Sequence, residues 1–282
     1  MTSAADRTSA SDALPLVHEV ATGVHCLGLG GRTQTNVYLV SSDASWSLID
    51  AGWSGDGPTI ITAAGHLFGV GRGPTSILLT HAHPDHSGAA RELSETWDCP
   101  IYVHPRDMPI ATGDFGVMVA AAGPLDRWLI LPLMRAIGRR RRETIIARSS
   151  LAGLVQPLGT EEHVPGLPGW RWVPTPGHTP GHVSFVRTED RVLITGDAVV
   201  NLQVNSVIGA ILGRSGLSGP PWYTTWSSAA AARSIADLAR LEPTVVAGGH
   251  GRPISGGETA VRLRVLATRA SRSRAARAGT SG

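Results

Sequence analysis

A chain of 282 residues with a hydrophobic share of 42% can bury a sizeable core, and one large domain is expected. Its formal charge of +3 does not describe a basic surface, because Arg262, Arg264, Arg269, Arg272, Arg274 and Arg277 crowd the last segment; removing those six from +3 leaves −3 for the rest, which excludes a broad nucleic-acid footprint. Cys26 and Cys99 stand far apart and outside any C-x-x-C pair, so they read as core thiols of a reducing compartment, and a cytoplasmic protein is expected.

Residues 1–15 are rich in Ser, Ala and Asp and lack an apolar h-region, so they are expected to be a disordered N-terminus without a secretory signal. Strands are expected at 16–29, 35–40 and 46–50, the last ended by Ala51-Gly52, and their tight turns suggest an antiparallel sheet. A helix follows at 58–68, then a buried strand at 76–80, a helix to about 97 and a strand at 101–104. Residues 107–158 break this rhythm and read as a helical insertion: an apolar half, then Arg139-Arg140-Arg141-Arg142, then a polar segment. The insertion could be a lid, a face for a partner or a peripheral membrane contact, or plain packing. Pro124, Asp126, Arg127, Pro132 and Arg135 interrupt its apolar part, so no transmembrane segment is expected. Strands resume at 170–173, 183–186 and 191–194, followed by an irregular stretch at 198–221, a helix at 227–241 and a strand at 244–247. Residues 261–282 read as a solvated, disordered, Arg-rich tail.

Chemistry concentrates where these strands end. His81, His83, Asp85 and His86 fall within six residues after the strand at 76–80. In extended backbone His81 and His83 point the same way, and Pro84 keeps His83 extended, while the helix start turns Asp85 and His86 toward a neighbouring position. Two adjoining metal sites are thus suggested. His178 lies in a Gly/Pro loop, and Asp197 and His250 follow strands, which makes seven candidate ligands. Imidazole with carboxylate suits zinc, with iron or manganese as alternatives, and the lack of cysteine argues against a closed structural site.

His81-x-His83-x-Asp85-His86, Pro176-Gly177-His178-Thr179, Gly196-Asp197 and Gly249-His250-Gly251 stand in the order found in the metallo-β-lactamase superfamily, which this sequence resembles. The resemblance implies an α+β fold, an αββα four-layer sandwich, here over residues 16–260 with the insertion at 107–158. It implies two Zn2+ ions, the first held by His81, His83 and His178, the second by Asp85, His86 and His250, with Asp197 bridging. Asp85 would be the catalytic group that moves a proton while a metal-bound hydroxide attacks. Asp50 could orient a ligating histidine or simply cap a turn. His182 reads as a packing histidine.

Ser87-Gly88 and the Thr-Pro-Gly-His segments look most like the glyoxalase II type branch, implying a small ester, thioester or lactone substrate. Two alternatives remain: a persulfide dioxygenase-like enzyme with a single iron, and an RNA-processing nuclease of the same superfamily. Trp222, Tyr223 and Trp226 precede the helix that leads to His250 and are expected to line the substrate pocket, although Trp226 could merely pack that helix. The expected partner is a small molecule, with no nucleic acid; the oligomeric state is left open.

Overall fold

Alternation along the strands decides how the layers stack. The computed structural model describes residues 17–30, 34–43, 45–160, 162–206, 209 and 212–279, with side chains described to residue 273; the segment expected to be disordered at 1–15 lies outside these. β1 (Val17–Ala21), β2 (Val24–Leu29), β3 (Thr35–Ser42), β4 (Ser45–Ile49), β5 (Ile77–Leu78), β6 (Ile101–Val103) and β7 (Val155–Pro157) form one seven-stranded sheet in that order. From the second half come β8 (Trp170–Pro174), β9 (Val183–Arg187), β10 (Val192–Gly196), the ribbon of β11 (Val200–Leu202) and β12 (Ser215–Ser218), then β13 (Val245–Gly248) and β14 (Ile254–Ser255). Their five-stranded sheet runs β14-β13-β10-β9-β8.

Val24, Cys26, Tyr38, Val40 and Ile49 point from the first sheet toward Val183, Phe185, Val192, Ile194 and Ala247 of the second, forming the core between the sheets. Their neighbours in sequence face outward. Leu27, Leu29, Val37, Leu39 and Leu48 pack under Ile60 and Ala63 of α1 (Gly57–Phe68) and, beyond the short α2 (Pro84–Ser87), Leu93 of α3 (Ala90–Trp97). The insertion supplies α4 (Met108–Ala111), α5 (Phe115–Ala120), a π-helical turn (Asp126–Ile130), α6 (Leu131–Ala136) and α7 (Arg139–Ser149). Leu193 and Val246 on the outer face of the second sheet meet Ile235 and Leu238 of α8 (Ser228–Ala239) and Leu263 and Ala267 of α9 (Thr259–Gly279). Helix, sheet, sheet and helix are therefore the four layers.

Four expectations are corrected. Residues 16–29 split at Thr22-Gly23, where Gly23 has φ +69° and turns a hairpin. The antiparallel pairing expected of the first strands holds through β4, and from β4 to β7 the sheet is parallel, because α1 and α3 provide crossovers between its strands. The stretch at 198–221 holds the β11–β12 ribbon, and the insertion ends in β7. The Arg-rich tail is helical to Gly279, since Leu263 and Ala267 recur at i, i+4 and cover the second sheet while Arg264 reaches Glu242. No helix among the described residues is long and apolar enough to cross a membrane.

Candidate metal centre

Parallel neighbours finish at the same edge of a sheet, and the topology uses this twice. β4 and β5 end beside each other and deliver Asp50 and the run Thr80-His81; β10 and β13 end beside each other in the second sheet and deliver Asp197 and His250. His83 stays extended at φ −73°, ψ 150° before Pro84, so α2 starts there and carries Asp85 and His86 into the centre. The β8–β9 loop brings His178. The two sheets are fastened at this edge by β3: Asn36 donates its backbone N–H to Gly249 O (2.7 Å) and its side-chain amide to Gly248 O (2.9 Å) and Gly251 O (2.6 Å), and the Tyr38 hydroxyl also donates to Gly248 O (2.6 Å).

All seven candidate ligands meet there. Three overlapping groups could each hold an ion: His81 with His83 and His178, His81 with His86 and Asp197, and Asp85 with His86 and His250, the ligand atoms of each lying within 4.8 Å of one another. Asp197 is central, its carboxylate oxygens lying 3.4 Å from Nε2 of each of His86, His178 and His250. Asp85 Oδ2 stands 3.4 Å from His250 Nε2 and 3.6 Å from His86 Nε2.

Hydrogen-bond accounting fixes which nitrogens face inward. The Thr80 hydroxyl donates to the Asp50 carboxylate, so His81 Nδ1–H must donate to Thr80 Oγ1 (3.0 Å), leaving Nε2 for the centre. His86 Nδ1 donates to Asp50 Oδ2 (2.8 Å) and His250 Nδ1 to Gln34 O (3.1 Å), with the same result. Asp50 thus orients His86 rather than capping its own turn. Three inward atoms, His81 Nε2, His86 Nε2 and Asp197 Oδ1, are buried without a hydrogen-bond partner among the described residues. Such groups are costly to bury unless something satisfies them, and a cation between imidazole lone pairs and carboxylates does so. Burial, with the imidazoles of His86 and His83 beside it, holds His81 well below the usual histidine range; burial and His83 do the same for His178. His250 is disfavoured as a cation by burial, but Asp197 and Asp85 outweigh this and push it up to about 10. Without an ion the centre must hold protons where an ion would otherwise balance the carboxylates.

Two positioning residues escape sequence inspection. Asp107, fully buried at the start of the insertion, accepts from Thr179 Oγ1 (2.6 Å), Gly181 N (2.6 Å) and Ala82 N (3.3 Å). One carboxylate thereby ties the loop of His81 and His83 to the loop of His178. His182 accepts the Asp197 backbone N–H at Nε2 (3.0 Å) and donates from Nδ1 to Thr175 Oγ1 (2.8 Å); burial pulls it down to about 3, which keeps Nε2 an acceptor. No local motif marks Asp107. The His182 tautomer becomes evident once its partners are known. Asp107→Ala should strand three donors at about 1–3 kcal/mol for each left unsatisfied, read as a lower urea midpoint with unchanged m; a midpoint within error of wild type would remove Asp107 from this role.

A model of the metallo-beta-lactamase superfamily matches residues 30–250. The chain belongs to that superfamily. It is similar to a Bacillus subtilis (strain 168) protein described as probable metallo-hydrolase YflN, 37% identical over 253 residues that cover 90% of this chain and 93% of that one. Its fold is like that of the metallo-beta-lactamase family protein TTHA1429 from Thermus thermophilus, with TM-score 0.65 and 21% identity over 92% of this chain and 81% of that one. It is also similar to TTHA1623, crystallised in a di-iron-bound form, with TM-score 0.53 and 29% identity over 82% and 93% of the two chains. The chain is therefore a metallo-hydrolase-like member of the metallo-beta-lactamase superfamily.

Around this metallo-beta-lactamase centre the aromatic trio divides. Tyr223 is half-buried, and burial first, then the Asp197 and Asp85 carboxylates, raise its hydroxyl above the ordinary tyrosine range. Trp222 and Trp226 line an adjoining cavity of about 250 Å³ with Pro124, Arg127 and Trp128 of the insertion. Trp226 also donates its backbone N–H to His178 O (3.1 Å), so its main chain supports the His178 loop. The insertion is fastened here as well: Leu125 N–H donates to Tyr223 O (2.6 Å) and Gly123 abuts the Thr224 backbone, where a side chain would not fit.

Proposed function

We propose that the chain is a dinuclear metal-dependent hydrolase of small esters, thioesters or lactones, of the glyoxalase II-like kind. The observation that carries this reading is the set of buried, unpartnered atoms His81 Nε2, His86 Nε2 and Asp197 Oδ1 pointing at one space. His81, His83 and His178 would hold the first ion, Asp85, His86 and His250 the second, and Asp197 would bridge. Zinc suits the donors, and iron is supported by the di-iron form of TTHA1623. Ions held there would lower the pKa of a bound water from 15.7 to ~7 and would polarise the substrate carbonyl.

The remaining steps belong to side chains. Asp85, more exposed than Asp197, would take the proton of the attacking water and return it to the leaving oxygen or sulfur. His182 and Asp50 hold Asp197 and His86 in place during that transfer. Trp222 and Trp226 offer apolar area to an acyl portion. Tyr223 would line the pocket beside them.

The test is metal content of the purified protein by mass spectrometry, followed by a panel of thioesters, lactones and phosphodiesters. About two ions per chain, with turnover on a thioester or lactone, is the expected result. One tightly held iron with oxygen consumption would replace this reading by the dioxygenase. Trp222→Ala and Tyr223→Ala should then lower kcat/KM on the best substrate while metal content and Tm stay near wild type; unchanged kinetics would remove the aromatics from the pocket.

A further inference from the structure

The insertion leaves its most apolar helix in water. Along the π-helical turn and α6, Trp128 is 82% exposed, Leu133 58%, Leu129 57% and Ile130 41%, and Leu131 is the one fully buried residue of this run. A globular domain seldom leaves such a contiguous apolar surface uncovered. Trp222, 58% exposed, extends the patch across the cavity it shares with Trp128.

Cations accompany this surface in sequence, and Arg127 lines the same cavity as Trp128. Residues 124–149 contain seven arginines, Arg127, Arg135, Arg139, Arg140, Arg141, Arg142 and Arg148, against Asp126 and Glu143, a net +5. Glu143 is engaged by Arg139 (2.7 Å), and Arg142 lies over the Phe115 ring (4.4 Å). The remaining positive charge greatly exceeds the acids at hand. A second copy seated on the same face would bring +5 against +5, which disfavours that occupant. An apolar peptide would cover the leucines but leave the arginines unmatched. A flat anionic surface with an apolar interior satisfies both: Trp and Leu side chains enter the headgroup boundary while arginine stems lie along it with their heads at the phosphates.

We propose that residues 124–142 dock this protein on the surface of an anionic lipid bilayer. The segment lies on the membrane and does not cross it, in keeping with its interruption by Pro132 and its arginines. Because Leu125 is hydrogen-bonded to Tyr223, docking would place the aromatic cavity against the bilayer surface.

The experiment is co-sedimentation of the full chain with vesicles of phosphatidylglycerol and phosphatidylcholine, and with vesicles of phosphatidylcholine alone, at low and high salt. Binding to the anionic vesicles, weak binding to the neutral ones and loss of binding as salt rises are expected. The double variant Trp128→Ser with Leu133→Ser, and separately Arg139→Gln with Arg140→Gln, Arg141→Gln and Arg142→Gln, should each weaken partitioning by about tenfold or more. Circular dichroism should stay as in wild type, because all of these side chains except Arg142 are exposed. The arginine variant decides the matter by itself if the serine pair disturbs the insertion. No partitioning at millimolar lipid, or partitioning that both variants leave unchanged, would overturn the proposal. A dimer in solution that Trp128→Ser dissociates, with no vesicle binding, would assign the face to a second copy instead.

Discussion

Asp197→Ala is expected to leave at most one of the two proposed ions bound and to abolish measurable turnover on the best ester found. Its carboxylate approaches Nε2 of His86, His178 and His250 at 3.4 Å each, so it stands within reach of ligands assigned to both proposed ion positions. The backbone N–H of residue 197 keeps its acceptor at His182 Nε2, so the loop should stay in place and the loss should fall on the charge. Without that charge the ring nitrogens of three histidines confront one another around any remaining cation, and a bridged pair of ions has nothing to screen its own repulsion. The measurement is metal per chain after dialysis against a weak chelator, with activity followed in parallel. Two retained ions and a rate within tenfold of wild type would show that the bridge lies elsewhere. Cys26→Ser and Cys99→Ser serve as the contrast: burial pushes these thiols up to about 12 and about 11, so neither is a thiolate at neutral pH, and catalysis should be nearly unchanged.

The parts of the centre that could be read in advance share one property: their positions are set by local chain geometry. The extended His81-x-His83, the proline that starts α2 and the turn residues after β10 and β13 each aim a side chain within a few residues, and the structure brings these side chains together. Asp50 was half legible, because a carboxylate before Ala51-Gly52 fits a turn cap as well as a ligand support; only the approach of His86 in space separates the two. Asp107 was illegible for the opposite reason. Its partners Ala82, Thr179 and Gly181 are far off in sequence, and nothing around it signals more than the first turn of a helix. The tail failed through a wrong weighting. Six arginines suggest solvation, whereas Leu263 and Ala267, with Leu266 and Ala270 beside them, pack α9 into the same cluster as α8. The strand, helix, strand order after β4 is compatible with the parallel half of the first sheet, yet β7 is three residues long and carries no alternation to detect.

Gly249→Ala should weaken the centre's hold on metal by steric means alone. A Cβ at this position would lie 2.3 Å from Asp197 Oδ1, 2.6 Å from His86 Cε1 and 3.2 Å from the Gly196 carbonyl carbon. The backbone cannot swing aside, because Gly249 donates to Gly196 O (2.7 Å) and accepts from Asn36 N (2.7 Å), which pins it to both sheets. Nor can the neighbours yield freely: His86 is fixed by Asp50 at 2.8 Å, and Asp197 by its N–H to His182 at 3.0 Å. The methyl group must therefore displace the Asp197 carboxylate or the His86 ring. Overpacking of this kind costs about 1–3 kcal/mol, and in a chain of this size that lowers Tm by about 2–4 °C for each kcal/mol. The variant should thus fold, melt several degrees early and hold less metal than wild type at equal free zinc. Gly257→Ala is the matched control, since no atom lies within 4 Å of its added Cβ, and its melting temperature and metal content should match wild type. Wild-type metal and rate in Gly249→Ala would mean that Asp197 and His86 have more room than this packing allows, and that the ions rather than the surrounding protein hold them in place.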